Sequence, residues 1–231
     1  MHSIKRNLEL SFAPSSTLAA IAYTTEMGNL FIFSAPSGCG KSTLVRLLCE
    51  KDSQLILSIS TTTRARRPHE RHTKDYFFVS ENKFSKMSNQ NKFLESATVF
   101  GHLYGTNRDF VESVLRDGND VIFDIDWQGA RQVKSQYEGA YSFFLIPPSM
   151  EALRKRLVRR EQDDLQTIEY RMAKARSEIT HFDEFDFVVV NDSISTLHEL
   201  VASSIDAIRH NKPVQLPDPQ PVINSLLTES V

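Results

Sequence analysis

The chain has 231 residues, and 27 lysines and arginines against 29 aspartates and glutamates give it a formal net charge of −2. This length suits one elaborated domain, since a domain usually has about 100–200 residues. The near-neutral charge excludes a general nucleic-acid coat, and no apolar run approaches the roughly 20 residues that cross a bilayer. Two cysteines cannot form a disulfide framework and suit a reducing compartment. We therefore expect a cytoplasmic protein that binds neither nucleic acid nor membrane.

The first 26 residues carry no motif that points to a function. Their weak apolar stretch, Leu18–Tyr23, is too short for the core of a signal peptide. Glu9 and Glu26 argue against an organellar transit peptide, which is poor in acidic residues. We expect residues 1–26 to be a loosely attached, disordered extension and the structured chain to begin near Met27.

From Met27 onward, short apolar runs alternate with helical patterns. Nearly continuous apolar runs are typical of strands that are buried on both faces in a parallel sheet. Such runs occur at Leu30–Ser34, Leu55–Ser60, Val121–Asp124, Tyr141–Ile146 and Phe187–Val190. Helices are predicted at Lys41–Glu50, Asp109–Arg116, Gln128–Gln136, Met150–Arg160, Leu165–Phe182 and Ser195–Arg209. This alternation predicts right-handed βαβ units and an α/β sandwich around a parallel sheet.

Two segments depart from this alternation. The stretch from Thr61 to Gly105 is basic, aromatic and rich in threonine around one expected strand, Tyr76–Val79, and we interpret it as an inserted subdomain. After about residue 211, four prolines are expected to block regular structure and to leave a C-terminal tail to residue 231. The apolar patch of this tail, Val222–Leu227, would either dock on a neighbouring molecule or belong to a frayed terminus.

The most specific motif follows the first predicted strand and opens a helix. Residues Ser34–Ser42 read SAPSGCGKS, close to the pattern G-x-x-x-x-G-K-[ST] of a phosphate-binding loop. The two glycines let backbone N–H groups curl around phosphate oxygens, Lys41 adds a positive charge, and Ser42 adds a hydroxyl suited to Mg²⁺. Ala35 stands where the pattern has its first glycine. The alternative, a glycine-rich turn with a chance Lys-Ser pair, is disfavoured by the strand before the motif and the helix after it.

Two aspartates close the predicted strand Val121–Asp124. Asp124 and Asp126 are two residues apart, which places them on one face of an extended chain. Carboxylates buried there are costly unless they are paired or near a metal, and the carboxyl ends of parallel strands are where α/β sheets bind ligands. Asp124 could therefore act on Mg²⁺ through its water shell, or both residues could simply close the strand.

Basic residues cluster in two parts of the chain. The first cluster contains Arg64, Arg66, Arg67, Arg71 and Lys74, and the second contains Arg154, Lys155, Arg156, Arg159, Arg160, Arg171, Lys174 and Arg176. In the second cluster, Arg156 and Arg160 are four residues apart and share a helix face. Most such residues line solvated faces, but an enzyme that brings two polyanions together needs several cations to offset their repulsion.

Together these motifs resemble those of the guanylate kinase family, P-loop kinases that make GDP from GMP and ATP. The resemblance runs from about Gly28 to Ile208. Its motifs lie at Ser34–Ser42, Ser60–Arg67, Asp75–Tyr76, Phe93–Glu95, Tyr104–Thr106, Asp124–Gly129, Pro147–Ser149 and Val190–Asp192. It implies a three-layer α/β sandwich with a central parallel sheet over residues 27–210. The implied core is 27–60, 107–153 and 177–210, with an inserted GMP-binding subdomain at 61–106 and a mobile lid at 154–176.

The same resemblance implies roles for individual residues. The implied ATP-binding residues are Ala35, Pro36, Ser37, Gly38, Cys39, Gly40, Lys41, Ser42, Thr43 and Asn191, the last near the adenine. The implied grip on the GMP phosphate comes from Arg64, Arg67, Tyr76 and Tyr104, and the implied readers of guanine are Ser60, Glu95, Thr106 and Asp126. Lys41, Arg156, Arg160 and Arg171 would stabilise the transferred phosphate. Ser42 and Asp124 would hold Mg²⁺, largely through nucleotide and water. The family usually has glycine after Arg160, where this chain has Glu161.

Three function classes follow from these observations. The first is an active guanylate kinase of purine nucleotide metabolism, with GMP, dGMP and ATP as partners, Mg²⁺ as cofactor and a homo-oligomer left open. The second is a non-catalytic guanylate-kinase-like binding module, which Lys41, Ser42 and the lid arginines disfavour. The third is a P-loop kinase for another acceptor, which Glu95 and Asp126 disfavour together. We expect the first.

Overall fold

The computed structural model describes residues 27–99, 101–159 and 164–228. The expected N-terminal extension, Arg160 and Glu161 lie outside these residues. In chain order the elements are β1 Leu30–Ser34, α1 Lys41–Lys51, β2 Leu55–Leu57, β3 Ser60–Thr62, β4 Phe77–Phe78, α2 Glu81–Asn89, β5 Phe93–Val99, β6 His102–Asn107, α3 Arg108–Arg116, β7 Asp120–Asp124, α4 Trp127–Lys134, β8 Tyr141–Ile146, α5 Met150–Val158, α6 Leu165–Ile179, β9 Phe187–Val190, α7 Ile194–Arg209 and α8 Gln220–Thr228. Within the described ranges, no helix is long and apolar enough to cross a membrane.

A five-stranded parallel sheet, ordered β2-β7-β1-β8-β9, forms the centre of the fold. Alternate residues of β1 point to opposite faces, as the period of two in a strand requires. Leu30 and Ile32 join a core packed against α3, α4, α5, α6 and α8. Phe31 and Phe33 join a second core packed against α1 and α7. These two helical layers around the sheet confirm the predicted three-layer sandwich.

The predicted strand Leu55–Ser60 is wrong as a single element. β2 pairs with β7 in the central sheet, whereas β3 pairs with β4 and β6 in a second sheet. The chain leaves the central sheet after Leu57, where the N–H of Ser58 donates to the carbonyl of Ile122 at 2.8 Å. The sequence pattern does not reveal this change of sheet, because residues on both sides of it, such as Leu55 and Thr61, are buried.

The second sheet has the order β4-β3-β6-β5 and lies between β2 and α3 along the chain. Its centre is the antiparallel pairing of β6 with β3 on one side and with β5 on the other. The expected strand Tyr76–Val79 is present only as the two residues of β4. Helix α2 was not predicted, although Ser80 caps it in the usual way by accepting from the N–H of Lys83 at 3.3 Å.

The C-terminal segment also differs from the expectation, because α8 forms despite the prolines. Pro221 is the second residue of this helix, where its missing N–H costs nothing. Ile223 and Leu226 are each 1% exposed and belong to the same core as Ile168 of α6. The apolar patch is therefore part of the chain's own core, and neither the frayed terminus nor docking of the whole patch on a neighbour is needed to explain it.

Candidate active site

The loop between β1 and α1 encloses a cradle of about 260 Å³, which is lined by residues 35–43 and Glu178. Gly38 and Gly40 have φ values of +91° and +88°, a conformation that favours glycine. A Cβ on Gly40 would also lie 2.5 Å from Nδ2 of Asn191. The predicted loop residues therefore form a concave backbone turn at the start of a helix, as phosphate binding requires.

Lys41 joins this loop to the end of β7. Its Nζ lies 2.7 Å from Oδ1 of Asp124 and 2.7 Å from the carbonyl oxygen of Ile125. Both charged side chains are about four-fifths buried, at 18% and 23% exposure, so their attraction is only partly screened by water. The geometry holds the lysine beside the cradle and Asp124 beside the lysine.

The expectation that Asp124 and Asp126 both close the strand is wrong for Asp126, which lies beyond the strand. β7 ends at Asp124, and Asp126 is the N-cap of α4, where its Oδ1 accepts from the N–H of Gly129 at 2.9 Å. The backbone of Asp126 is still extended, with φ −82° and ψ 176°, as is usual for an N-cap residue. From the start of α4, its charge contributes to the electrostatics of Glu95 on β5.

Cys39 is fully buried within the loop and its pKa is raised to about 12, chiefly by burial. Its thiol therefore stays protonated at neutral pH and lacks the thiolate that nucleophilic chemistry needs. It packs in the core on the α5 and α6 side of the sheet. This position agrees with a small residue that fills space beneath the phosphate loop.

Two of the predicted arginines contact the phosphate loop or the turn after β9. Arg171 of α6 donates from Nη2 to Oγ of Ser37 at 2.7 Å, and the N–H of Ser37 donates to Glu178 at 3.3 Å. Arg156 of α5 donates from Nη2 to the carbonyl of Asn191 at 2.7 Å. Helix α6 therefore contacts the phosphate loop directly, and Arg156 is anchored at the turn after β9. The third arginine, Arg160, lies outside the described residues.

A cleft of about 310 Å³ lies next to the loop, and Gly40, Arg156 and Asn191 are among its lining residues. Nδ2 of Asn191 donates to the carbonyl of Cys39 at 2.6 Å. Oδ1 of Asn191 and Nη1 of Arg156 are buried without a hydrogen-bond partner, which is costly. One orphaned acceptor and one orphaned donor in a cleft wall fit a ligand that offers the complementary groups, such as the edge of a purine.

The second sheet brings together three of the four predicted guanine readers. Ser60 on β3 and Glu95 on β5 both pair with Thr106 on the strand between them. Thr106 donates from Oγ1 to Oε1 of Glu95 at 2.7 Å. Burial raises the pKa of Glu95, the hydrogen bond from Thr106 opposes this rise, and the charge of Asp126 adds to it. Thr106 and Asp126 therefore both act on Glu95, and Ser60 lies beside Thr106 in the sheet.

The predicted phosphate-gripping residues lie around two tyrosine rings. The ring centroids of Tyr76 and Tyr104 are 6.0 Å apart, and the Arg64 guanidinium lies 5.3 Å from the centroid of Tyr76. Burial raises the pKa of Tyr76, which keeps its hydroxyl a neutral donor. Arg67 is exposed and lies on the same segment between β3 and β4. The structure thus supplies cations and hydroxyl donors at one place, as binding of a phosphate requires.

Glu70 is a residue of this site that the sequence did not single out. It is 7% exposed and accepts from the guanidinium of Arg64 at 2.6 Å and from the N–H of Arg67 at 2.8 Å. The hydrogen bond from Arg64 is the largest influence that lowers its pKa to about 2. The available signal was one acidic residue inside the first basic cluster, close enough in sequence for a turn to bring it to Arg64.

Comparisons with known proteins agree on one family. The family model described as Guanylate kinase matches residues 27–208. The guanylate kinase of Coxiella burnetii is 47% identical over 187 residues, which cover 81% of this chain and 91% of the relative. That of Nitrosomonas europaea is 49% identical over 183 residues, covering 79% and 91%. The crystal structure of guanylate kinase from Anaplasma phagocytophilum matches with a TM-score of 0.65 and 30% identity, covering 87% of this chain and 95% of that one.

Proposed function

The chain belongs to the guanylate kinase family, and we propose from this premise how its residues transfer a phosphoryl group from ATP to GMP. As a nucleoside monophosphate kinase it forms ADP and GDP. The observation that carries the assignment of roles is the contact of Lys41 with Asp124 and with the carbonyl of Ile125. This contact joins the phosphate loop to the turn before Asp126 and supports the proposal that the donor and acceptor sites meet at the end of β7.

The acceptor needs no general base in this mechanism. A phosphate oxygen of GMP is already anionic and nucleophilic, so catalysis consists of positioning the reactants and stabilising charge. Arg64 and Arg67 grip the GMP phosphate, because a guanidinium matches two phosphate oxygens at once. The hydroxyls of Tyr76 and Tyr104 donate to the remaining oxygens.

The guanine is recognised by Ser60, Glu95, Thr106 and Asp126. Guanine presents N–H donors at N1 and N2, and ionised carboxylates accept such bonds strongly. Adenine has an acceptor at N1 instead, so it leaves Glu95 and Asp126 without their donors. Loss of those bonds in a buried site is what makes the site selective.

The ATP phosphates occupy the cradle of residues 35–43, with Lys41 at the transferring group. Arg156, Arg160 and Arg171 offset the charge that accumulates when the two nucleotides meet. The contact of Arg171 with Ser37 in the loop supports this role. Asn191 lies where its unpaired Oδ1 can accept from the adenine amino group.

The residues proposed for Mg²⁺ fit an ion that arrives with ATP. Within the part of the chain that the structure describes, no group of three or more His, Cys, Asp or Glu could hold a metal. Ser42 at the start of α1 and Asp124 at the end of β7 offer a hydroxyl and a carboxylate, the oxygen ligands that Mg²⁺ prefers. When bound, Mg²⁺ neutralises charge on the ATP phosphates; Ser42 and Asp124 orient it largely through nucleotide and water.

Three parts of the chain take different roles in this proposal. We propose residues 61–106 as the GMP-binding subdomain, residues 154–176 as the lid and residues 27–60, 107–153 and 177–210 as the core. Cytoplasmic recycling of GMP in purine metabolism, use of dGMP as a second acceptor and absence of nucleic-acid binding belong to this proposal. A non-catalytic module is not supported, because Lys41 is held at the phosphate loop.

The direct test is release of ADP from ATP in the presence and absence of GMP, with Lys41→Met as the test variant. The substitution removes one preorganised electrostatic donor, so we expect turnover to fall by about 10²–10³-fold. Lys51→Met, at the exposed end of the same helix, is the matched control and should retain turnover. Wild-type protein that binds GMP without forming ADP would support the binding module instead, and full turnover by Lys41→Met would refute the assigned role.

A further inference from the structure

Glu70 holds the basic segment between β3 and β4 in one conformation. Its carboxylate accepts from Nη2 of Arg64 at 2.6 Å and from the backbone N–H of Arg67 at 2.8 Å. Its own N–H donates to the carbonyl of Arg67 at 3.1 Å, and its carbonyl accepts from Nη1 of Arg66 at 2.7 Å. One residue thus closes the turn from Arg67 and fixes a guanidinium at the same time.

This arrangement is not explained by stability alone. A buried carboxylate is costly unless it is paired, and a pair in which both charges lose water often adds little net stability. The charge of Glu70 also has the same sign as a phosphate bound nearby, so by itself it opposes binding of that phosphate. Its benefit must therefore lie in the placement of the donors around it.

We propose that Glu70 is a positioning residue for the acceptor phosphate, acting through Arg64 and the Arg67 turn; this rests on the proposed function, in which those arginines grip GMP. Arg64 is held by Glu70, by a hydrogen bond from Nη1 to the carbonyl of Ala65 at 2.9 Å, and by the ring of Tyr76. These contacts occupy part of its donor set and leave other N–H groups for phosphate. Arg64 thus loses its side-chain freedom on folding rather than on binding, which favours affinity.

The test is the affinity for GMP and for guanosine, measured by titration calorimetry on wild type and Glu70→Gln. Glutamine keeps the size and one acceptor, but its amide N–H₂ cannot accept a hydrogen bond. We expect GMP binding to weaken by about ten-fold or more, since a charge-assisted hydrogen bond is lost, while guanosine binding changes by less than about two-fold. Glu81→Gln, an exposed carboxylate at the start of α2, is the control and should leave both affinities unchanged.

The other outcomes of these titrations distinguish positioning by Glu70 from charge repulsion and from a general structural role. Equal or tighter GMP binding by Glu70→Gln would overturn the proposal, because repulsion would then outweigh positioning. Parallel weakening of GMP and guanosine binding would also overturn it and would show a general structural role.

Glu70→Asp, which keeps the charge, gives a second variant and should weaken GMP binding selectively, but by less than Glu70→Gln does. In an Arg64→Ala background the effect of Glu70→Gln should shrink; an undiminished effect would contradict action through Arg64. Wild-type protein that binds no GMP would refute the proposed function itself.

Discussion

At the scale of the residue, two buried glutamates with opposite pKa shifts belong to the proposed GMP site. Glu70 is surrounded by donors, which lower its pKa to about 2. Glu95 has one hydroxyl donor and an acidic neighbour, and burial raises its pKa above the ordinary value. Glu70 therefore stays ionised throughout the working range, whereas Glu95 is the group whose protonation changes first as the solution is acidified.

The pKa of Glu95 predicts a pH dependence of base recognition. The ionised carboxyl can accept from guanine N1–H and N2–H with charged oxygens, whereas the protonated form keeps only a neutral, weaker acceptor and gains an O–H donor; a raised pKa means that acidification removes the ionised form earlier than in a free glutamate. The ratio of kcat/KM for GMP between wild type and Glu95→Gln should be about 10–100 near pH 8 and fall as the solution is acidified. Titration of the GMP phosphate cancels in this ratio.

Glu138→Gln, an exposed carboxylate on another part of the chain, serves as the control for this series and should follow wild type at every pH. The raised pKa also has a consequence for stability: the folded state binds the Glu95 proton more readily than the unfolded state, so ionised Glu95 lowers the free energy of unfolding at neutral pH. Glu95→Gln should therefore be no less stable than wild type at pH 7. A pH-independent ratio would contradict the role of Glu95 as an ionised acceptor.

At the scale of the element, the sequence predicts the strands that are buried on both faces, because these are nearly continuous apolar runs, and it misses strands that carry polar residues. Four of the five central strands lie within a predicted apolar run and the fifth, β7, begins one residue before its run; the predicted helices are present with ends that differ by at most three residues. β6, His102–Asn107, carries polar residues that are half-buried or buried, so no apolar run marks it. β3 is also polar, β5 mixes apolar and polar residues, and the pairing of β3 with β6 depends on contacts distant in sequence.

Helix α6 provides a test of the proposed lid. Arg171 can act on ATP phosphates only if its helix stays close to the phosphate loop, where it now contacts Ser37. Hydrogen exchange in residues 154–176 should slow when GMP and a non-hydrolysable ATP analogue are bound together, and by more than with either ligand alone. Exchange in α7, Ile194–Arg209, is the internal reference and should change little. Unaltered exchange in 154–176 with both ligands bound would contradict the lid.

Helix α8 offers a matched pair of leucines. Leu226 is 1% exposed and Leu227 is 47% exposed, so the first contributes to the core and the second does not. Leu226→Ala should lower the free energy of unfolding by about 2–5 kcal/mol, the usual cost of truncating a buried leucine. Leu227→Ala should change it by no more than about 0.5 kcal/mol. Urea denaturation measures both; equal effects would mean that α8 does not pack on α6 in solution.

At the scale of the whole molecule, the proposed function depends on two sites that are far apart in sequence, and the contacts of Lys41 connect the phosphate loop to the end of β7. The phosphate loop and the base readers could be proposed from residue types, because each motif carries its own chemistry. The link between them could not be predicted from residue types, because Lys41 contacts the backbone carbonyl of Ile125, a group that every residue type carries. Glu70 was missed because its contact with Arg64 depends on a turn that returns the carboxylate to the guanidinium.

This chain should phosphorylate GMP in preference to the other nucleoside monophosphates, and one assay tests this preference most directly. kcat/KM should be measured for GMP, AMP, CMP and UMP with ATP as donor, by release of ADP. GMP should exceed AMP by about 10⁴-fold, because AMP leaves the buried acceptors Glu95 and Asp126 without donors. Comparable values for GMP and AMP, or turnover of another nucleotide in preference to GMP, would contradict the account.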